Sequence, residues 1–325
     1  MTDSSSSPSA KRVSDPEFPI DQCDVEDKAS LARYRDKRRV WERWLHGDPN
    51  HAIWPQIASM LLHDLTFRTL AAAADADADS ALHSPIIRSG VVLGYAASLG
   101  LAIRRLVDMT SGVISLRKLN MDLRNNRDLL TREIFVSGAG VPYDPDAAYR
   151  RSFTDASATV GVISWAPMVG PSAFIPSMGL NERFDRLSDI QPDRRTRGDR
   201  IRKRIFGRIE GWLTAPEISS VVTWSNTTLA HAADRPIHLS ASAPTFEMIA
   251  AAQRDIVRAA VALTTYVLHG AALGEIVPVL QYNQFHRFDR VVSDPAVQKM
   301  ARQKWFELAD ERNRWGRDVF DALVA

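Results

Sequence analysis

The residues with the clearest chemical potential lie in one stretch, Trp224-Ser225-Asn226-Thr227-Thr228-Leu229-Ala230-His231-Ala232-Ala233-Asp234. An imidazole changes charge near neutral pH, so His231 can serve as a general acid or base, or stabilise the end of a helix when charged. At helical spacing Ile218, Val222, Ser225 and Leu229 share the core-facing side. His231 falls off that stripe, beside Trp224 and Thr227, which leaves it open to solvent or a ligand. Upstream runs the densest block of positive charge: Arg194, Arg195, Arg197, Arg200, Arg202, Lys203, Arg204 and Arg208, opposed within it only by Asp199. Arg200, Arg204 and Arg208 recur every four residues and are expected to line one helical face. Such a face suits phosphate-backbone contacts that carry no base specificity. A solvated face paired with acidic neighbours is the plainer alternative.

Other signatures are missing. There is no G-x-x-x-x-G-K-[ST] loop, no G-x-G-x-x-G after a strand, no G-x-S-x-G and no H-E-x-x-H. The eight histidines are scattered, without the helical spacing and neighbouring carboxylate of a zinc site. No cofactor and no metal is expected.

The elements that must position these groups read as helices. Asp24 and Asp27 open one, on which Leu31, Tyr34, Trp41, Trp44 and Leu45 recur at helical spacing and Arg33 to Arg43 decorate the rest. A second runs from about His51 to Ala74. Ser84-Pro85 opens a third, reaching Val107, on which Gly90, Gly94 and Gly100 suggest close approach of a neighbouring helix. Ser115 to Asn125 forms a short one. Residues 137–192 hold eleven of the glycines and prolines and read as an irregular insertion, with Val160 to Trp165 a candidate strand. Helices resume near Arg200. Thr214-Ala215-Pro216-Glu217 reads as a capping box, opening the helix that ends at His231. A longer helix covers Pro244 to about Val277, and a last one Pro295 to Leu323, with Val297, Met300, Trp305, Leu308, Trp315, Val319 and Phe320 as its buried face.

The expected fold is therefore all-α, a multi-helix bundle with an irregular Gly/Pro-rich insertion. The divisions are a disordered tail (1–22), amino-terminal helices (23–136), the insertion (137–197) and carboxyl-terminal helices (198–325). Composition agrees with a globular chain: 325 residues, 45% hydrophobic and 25% charged. With 41 Lys and Arg against 39 Asp and Glu the net charge is only +2, so nucleic-acid contact must come from a local patch. A single cysteine, Cys23, rules out an internal disulfide. Together with a Ser-rich start that has no apolar core, it points to the cytoplasm. Ala259 to Leu280 is apolar and long enough to span a bilayer, but His269 and Glu275 make it a buried helix instead. No membrane role is expected, although the Trp-rich, Arg-decorated first helix would suit a membrane surface as well as a bundle.

The segment ending Ala230-His231-Ala232-Ala233-Asp234 resembles the end of the motif-bearing helix in the HEPN superfamily, in its abortive-infection-type branch. Ile103-Arg104-Arg105-Leu106-Val107-Asp108, followed by Ser115-Leu116 and by Asn125, Asn126 and Leu130, is similar to a second helix of that branch. The resemblance covers roughly 25–136 and 198–280. It implies an all-α bundle that forms a homodimer and, in many members, a metal-independent endoribonuclease in bacterial defence or toxin-type systems. In that chemistry an arginine four to six residues before the histidine supports the charge developing on phosphate while the histidine moves the protons. His231 matches the histidine. Asn226 and Ser225 stand where the arginine would be, so either catalysis is lost or another arginine substitutes, from the 194–208 run or, less directly, Arg235. RNA is thus the expected partner, with His231 and Asn226 as catalytic candidates and Arg200, Arg204 and Arg208 as its phosphate contacts. The alternative is a catalytically inactive helical module that binds a protein.

Overall fold

Local capping sets where many of the helices begin. In a computed structural model, which describes residues 18–156, 167–230, 243–270, 275–277 and 295–325, Asp27 accepts the Ser30 N–H at 2.8 Å and starts α1 (Lys28–His46). Ala52 precedes α2 (Ile53–Asp75) and offers no side-chain cap. Pro85, at its first position, begins α3 (Pro85–Val107). Ser115 accepts the Lys118 N–H at 3.2 Å at the head of α4 (Leu116–Asn125). After a short α5 (Arg132–Ser137) come α6 (Pro145–Ala156) and α7 (Phe174–Ser188). Then follow α8 (Lys203–Leu213), α9 (Pro216–Ser225), α10 (Phe246–Val261), α11 (Pro295–Arg314) and α12 (Val319–Val324). Among the described residues there is no strand, only an isolated antiparallel bridge between Thr131 and Arg200. The all-α reading holds.

The helix α2 packs between α3 and α11, α3 also packs on α9, and α10 lies against α8 and α9. Ile57, Leu61 and Leu65 of α2 meet Leu99, Ile103 and Leu106 of α3 in one continuous core that includes Trp41 and Trp54. The apolar side of α1 (Leu31, Tyr34, Trp41, Leu45) is buried in that core, so the bundle accounts for it without a membrane surface. Inside the core Asp64 is fully buried and accepts from Arg312 at 2.7 Å, from Arg68 at 2.9 Å and from the Tyr95 hydroxyl at 2.7 Å. Those contacts tie α2, α3 and α11 together. Burial and the Asp64 carboxylate push the Tyr95 hydroxyl far above its usual range, so it stays a proton donor.

Several expectations need correction. Residues 137–192 are not simply irregular: α6 and α7 pack on each other there, and α7 packs on α5. Their prolines, Pro145 and Pro176, fall in first turns, where a missing N–H costs no helical bond. The candidate strand Val160 to Trp165 lies outside the described residues. Gly90 and Gly94 face open space rather than a close helix. Thr214 does not cap α9; its hydroxyl donates to the Glu210 carbonyl at the end of α8, and Ala215 precedes α9 instead. The last helix is interrupted after Arg314, a break that buries both Trp315 and Val319, while Met300 stays exposed.

The amino half of α3 is the least covered part of the bundle. Ile87, Val92 and Leu93 are 40, 43 and 66% exposed. The segment Ile87–Val107 is long and apolar enough to cross a membrane, but its carboxyl half (Leu99, Ile103, Leu106) is fully buried in the core. Of the apolar stretch predicted as a buried helix, Ala259 to Leu263 and Val267 are indeed buried.

Candidate nucleic-acid interface

The 194–208 run folds into a fastening strip. The main chain around Arg197–Arg200 is zipped to α5: the Arg132 N–H donates to Asp199 O at 2.9 Å and the Glu133 N–H to Arg197 O at 3.1 Å. Arg132, wholly buried, then reaches Asp199 at 2.9 Å and Asp185 at 2.7 Å, with its guanidinium 4.9 Å from the Phe184 ring centroid. Arg195 also binds Asp185, at 2.6 Å. Arg197 binds Asp24 at 2.8 Å and Glu26 at 3.1 Å. Arg202 and Arg204 share Asp189, and Arg204 and Arg208 donate to the Val324 and Ala322 carbonyls at the end of α12.

The predicted helical face is therefore broken up. Arg200 precedes α8 and lies exposed beside the bridge to Thr131, while Arg204 and Arg208 on α8 hold down the last helix. Burial tends to raise the Asp199 carboxyl, but hydrogen bonds from Thr196 and Arg132 outweigh it and hold the group below the usual carboxylate range. Most of this strip's positive charge is matched within the fold.

His231 and Arg235 lie outside the described residues. Asn226 opens a π-helical turn (Asn226–Ala230) that continues α9, a feature enriched at functional positions. Its Oδ1 is buried without a hydrogen-bond partner among the described residues. The buried face of α9 is Ile218, Val221, Trp224 and Ser225, which corrects the expected stripe: Trp224 faces the core, and Val222 is only half-buried.

The structure brings together a group that the spacing did not predict. A cleft of about 510 Å³ opens between the start of α2 and the end of α3, lined by His51, Gln56, Arg104, Arg105 and Asp108. A second, of about 330 Å³, adjoins it through Gln56 and Arg105 and adds Asn50 and His63. Arg105 is exposed, and its side chain makes no hydrogen bond or ion pair among the described residues. Arg104 faces Asp108, whose carboxyl is held low by the Thr110 side chain and N–H and, more weakly, by the charges of Arg104 and Lys118. Arg104, Arg105 and exposed His51 thus line the first opening with Asp108, Arg105 and exposed His63 line the second, and the Asp48 carboxylate lies beside His51. Such an arrangement holds an oxyanion such as a backbone phosphate. The signal in the sequence was Arg104-Arg105 closing an otherwise apolar helix; its partners on α2 lie some fifty residues away and share no local pattern with it.

Phe246 at the head of α10 packs 5.7 Å from the Tyr95 ring, at the middle of α3, whereas Arg104 and Arg105 sit in its last turn. Among the described residues no three His, Cys, Asp or Glu side chains converge as a metal site requires. No family model, curated protein or solved structure matches the chain.

Proposed function

We propose that this chain is an HEPN-like helical protein that binds RNA, and that the α2–α3 cleft supplies its phosphate contacts. One observation carries the reading: Arg104 and Arg105 line two adjoining openings with His51 and His63, and the Arg105 side chain has no hydrogen-bond or ion-pair partner among the described residues. In this reading His231 moves the protons of 2′-hydroxyl attack, as the motif resemblance implies, and the cleft anchors the strand rather than completing the catalytic pair. The 194–208 arginines contribute mainly Arg194 and Arg200, which are exposed and, among the described residues, make no ion pair beyond that of Arg194 with its neighbour Asp193.

The test is binding of a fluorescent single-stranded RNA across a salt series, in EDTA. Each phosphate contact contributes about 0.7 to the slope of log K against log salt for single strands. An Arg104→Ala/Arg105→Ala double variant is expected to lower that slope by about 1.4 and to weaken binding at low salt. An unchanged slope removes the cleft from the reading. Cleavage in the same tubes that His231→Ala abolishes supports the nuclease form, and absence of cleavage leaves a binding protein.

A second reading rests on the exposed Ile87, Val92 and Leu93 of α3. A helix face this apolar suits a protein partner or a second copy of the chain. RNA indifference combined with self-association that Leu93→Glu disrupts favours it.

A further inference from the structure

The largest buried guanidiniums of this protein are matched by carboxylates: Arg132 by Asp185 and Asp199, Arg312 by Asp64. Arg183 on α7 has no carboxylate partner among the described residues. It is half-buried, and its contacts are a carbonyl, an imidazole and a ring. Its Nη1 lies 3.0 Å from His269 Nδ1 and 3.5 Å from the Thr265 carbonyl, with the guanidinium 5.8 Å from the Tyr266 ring centroid. A guanidinium can only donate, so Nδ1 must accept and the imidazole proton sits on Nε2. Burial first, then the charges of Arg183 and of Arg38 on α1, hold His269 down to about 4, so the ring is neutral at physiological pH. Burial also lowers Arg183 itself.

The backbone adds an independent reason to look here. His269 has φ +50° and ends the π-helical turn Ala262–Val267, where the Leu268 N–H donates to Leu263 O and the Gly270 N–H to Thr264 O. Glycine or asparagine is the low-cost residue for such a left-handed cap. A histidine held there instead stacks 5.6 Å from Phe135, with its ring against Arg183. The outcome is a half-buried cation and a neutral imidazole that together present donors and no acceptor.

We propose that Arg183 and His269 form a binding site for a phosphate group, with the unused guanidinium N–H groups and imidazole Nε2–H as its donors. The site lies on α7 and just past the π-helical turn that follows α10, apart from the elements of the cleft, and does not depend on the RNA reading. An anion there provides a counter-charge that no described residue gives Arg183, together with two or more charge-assisted hydrogen bonds.

The experiment follows the His269 imidazole resonances of the full chain by NMR at constant pH and ionic strength. One arm titrates inorganic phosphate; the other compares a 5′-phosphorylated RNA trinucleotide with its 5′-hydroxyl twin. A saturable shift with inorganic phosphate assigns the site to a free anion. A shift with the 5′-phosphorylated oligomer alone assigns it to a terminal phosphate. Either outcome supports the site, provided that Arg183→Gln weakens binding about tenfold or more. Arg183→Lys, which keeps the charge, is expected to retain saturable binding and shows that the loss is not one of folding. Arg104→Ala/Arg105→Ala is expected to leave the response unchanged, which separates this site from the cleft. No saturable shift in either arm, or an equal shift in Arg183→Gln, overturns the assignment.

Discussion

The 194–208 strip and the α2–α3 cleft are both rich in arginine, yet they use it in opposite ways. Along the strip, guanidiniums meet Asp185, Asp189, Asp199, Asp24 and Glu26, or the carbonyls of α12. In the cleft, two adjacent arginines line, with Asp108, an opening large enough for a ligand. The difference teaches that a count of charges along a chain measures supply, whereas binding depends on what the fold leaves unmatched. A dense run invites carboxylates and becomes structural. A sparse pair at a helix end stays available.

The comparison can be broken most decisively at Arg132. Arg132→Ala leaves Asp185 and Asp199 without their buried partner, and about 3–5 kcal/mol of stability is expected to be lost. Urea unfolding measures it, and a loss under about 1 kcal/mol would show that the strip is not held together from within. The same fold is expected to weaken in acid at two stages. His269 lies below its unfolded value of 6.5, so the folded state binds fewer protons between that value and about 4. Stability from this group is full above about pH 6.5 and falls as pH drops toward 4. His269→Asn should remove that part of the pH dependence. Asp199, whose carboxyl also lies below its unfolded value, contributes stability that is lost only at lower pH, as the pH falls below about 4. If the acid profile of His269→Asn overlays that of the wild type, His269 is not buried as described.

Smaller effects sharpen the contrast. Arg204→Ala removes an exposed ion pair and a contact with α12, and is expected to cost about 1 kcal/mol or less. Its RNA salt slope should match that of the wild type. Arg105→Ala is the reverse case: stability within about 0.5 kcal/mol of the wild type, because the side chain is exposed and has no polar partner among the described residues, with the salt slope reduced. If the two variants trade phenotypes, the roles of strip and cleft are exchanged.

Much of the helix plan was legible because its signals are local. Asp27, Ser115 and Ser84-Pro85 each mark a start within a residue or so of the observed one. The all-α class follows from that plan. Local signals also misled. Thr214 satisfied the capping pattern, but the preceding helix took its hydroxyl. Pro145, Pro176 and Gly179 made the 137–192 region read as irregular, because composition cannot tell a first-turn proline from a breaking one. The face of α9 was set too far from Trp224, since a large aromatic can rotate a short stripe by one position. The cleft and the Arg183–His269 pair were hidden for a different reason. Their members are brought together by packing of distant helices, and no spacing rule links residue 51 to 105 or 183 to 269.

The buried pair of Asp64 and Arg312 has a further consequence, for the order in which this molecule assembles. Its two residues stand 248 positions apart. During synthesis α2 emerges with a carboxylate destined for a solvent-free site, and the guanidinium that faces it there is made 248 residues later. The central helix pair can collapse on its apolar faces first, but the core closes only when α11 arrives. Contacts of such long sequence separation slow folding, because loop closure comes before any contact rewards it. A nascent chain of this protein therefore carries an open seam along α2 until α11 has left the ribosome and sealed it.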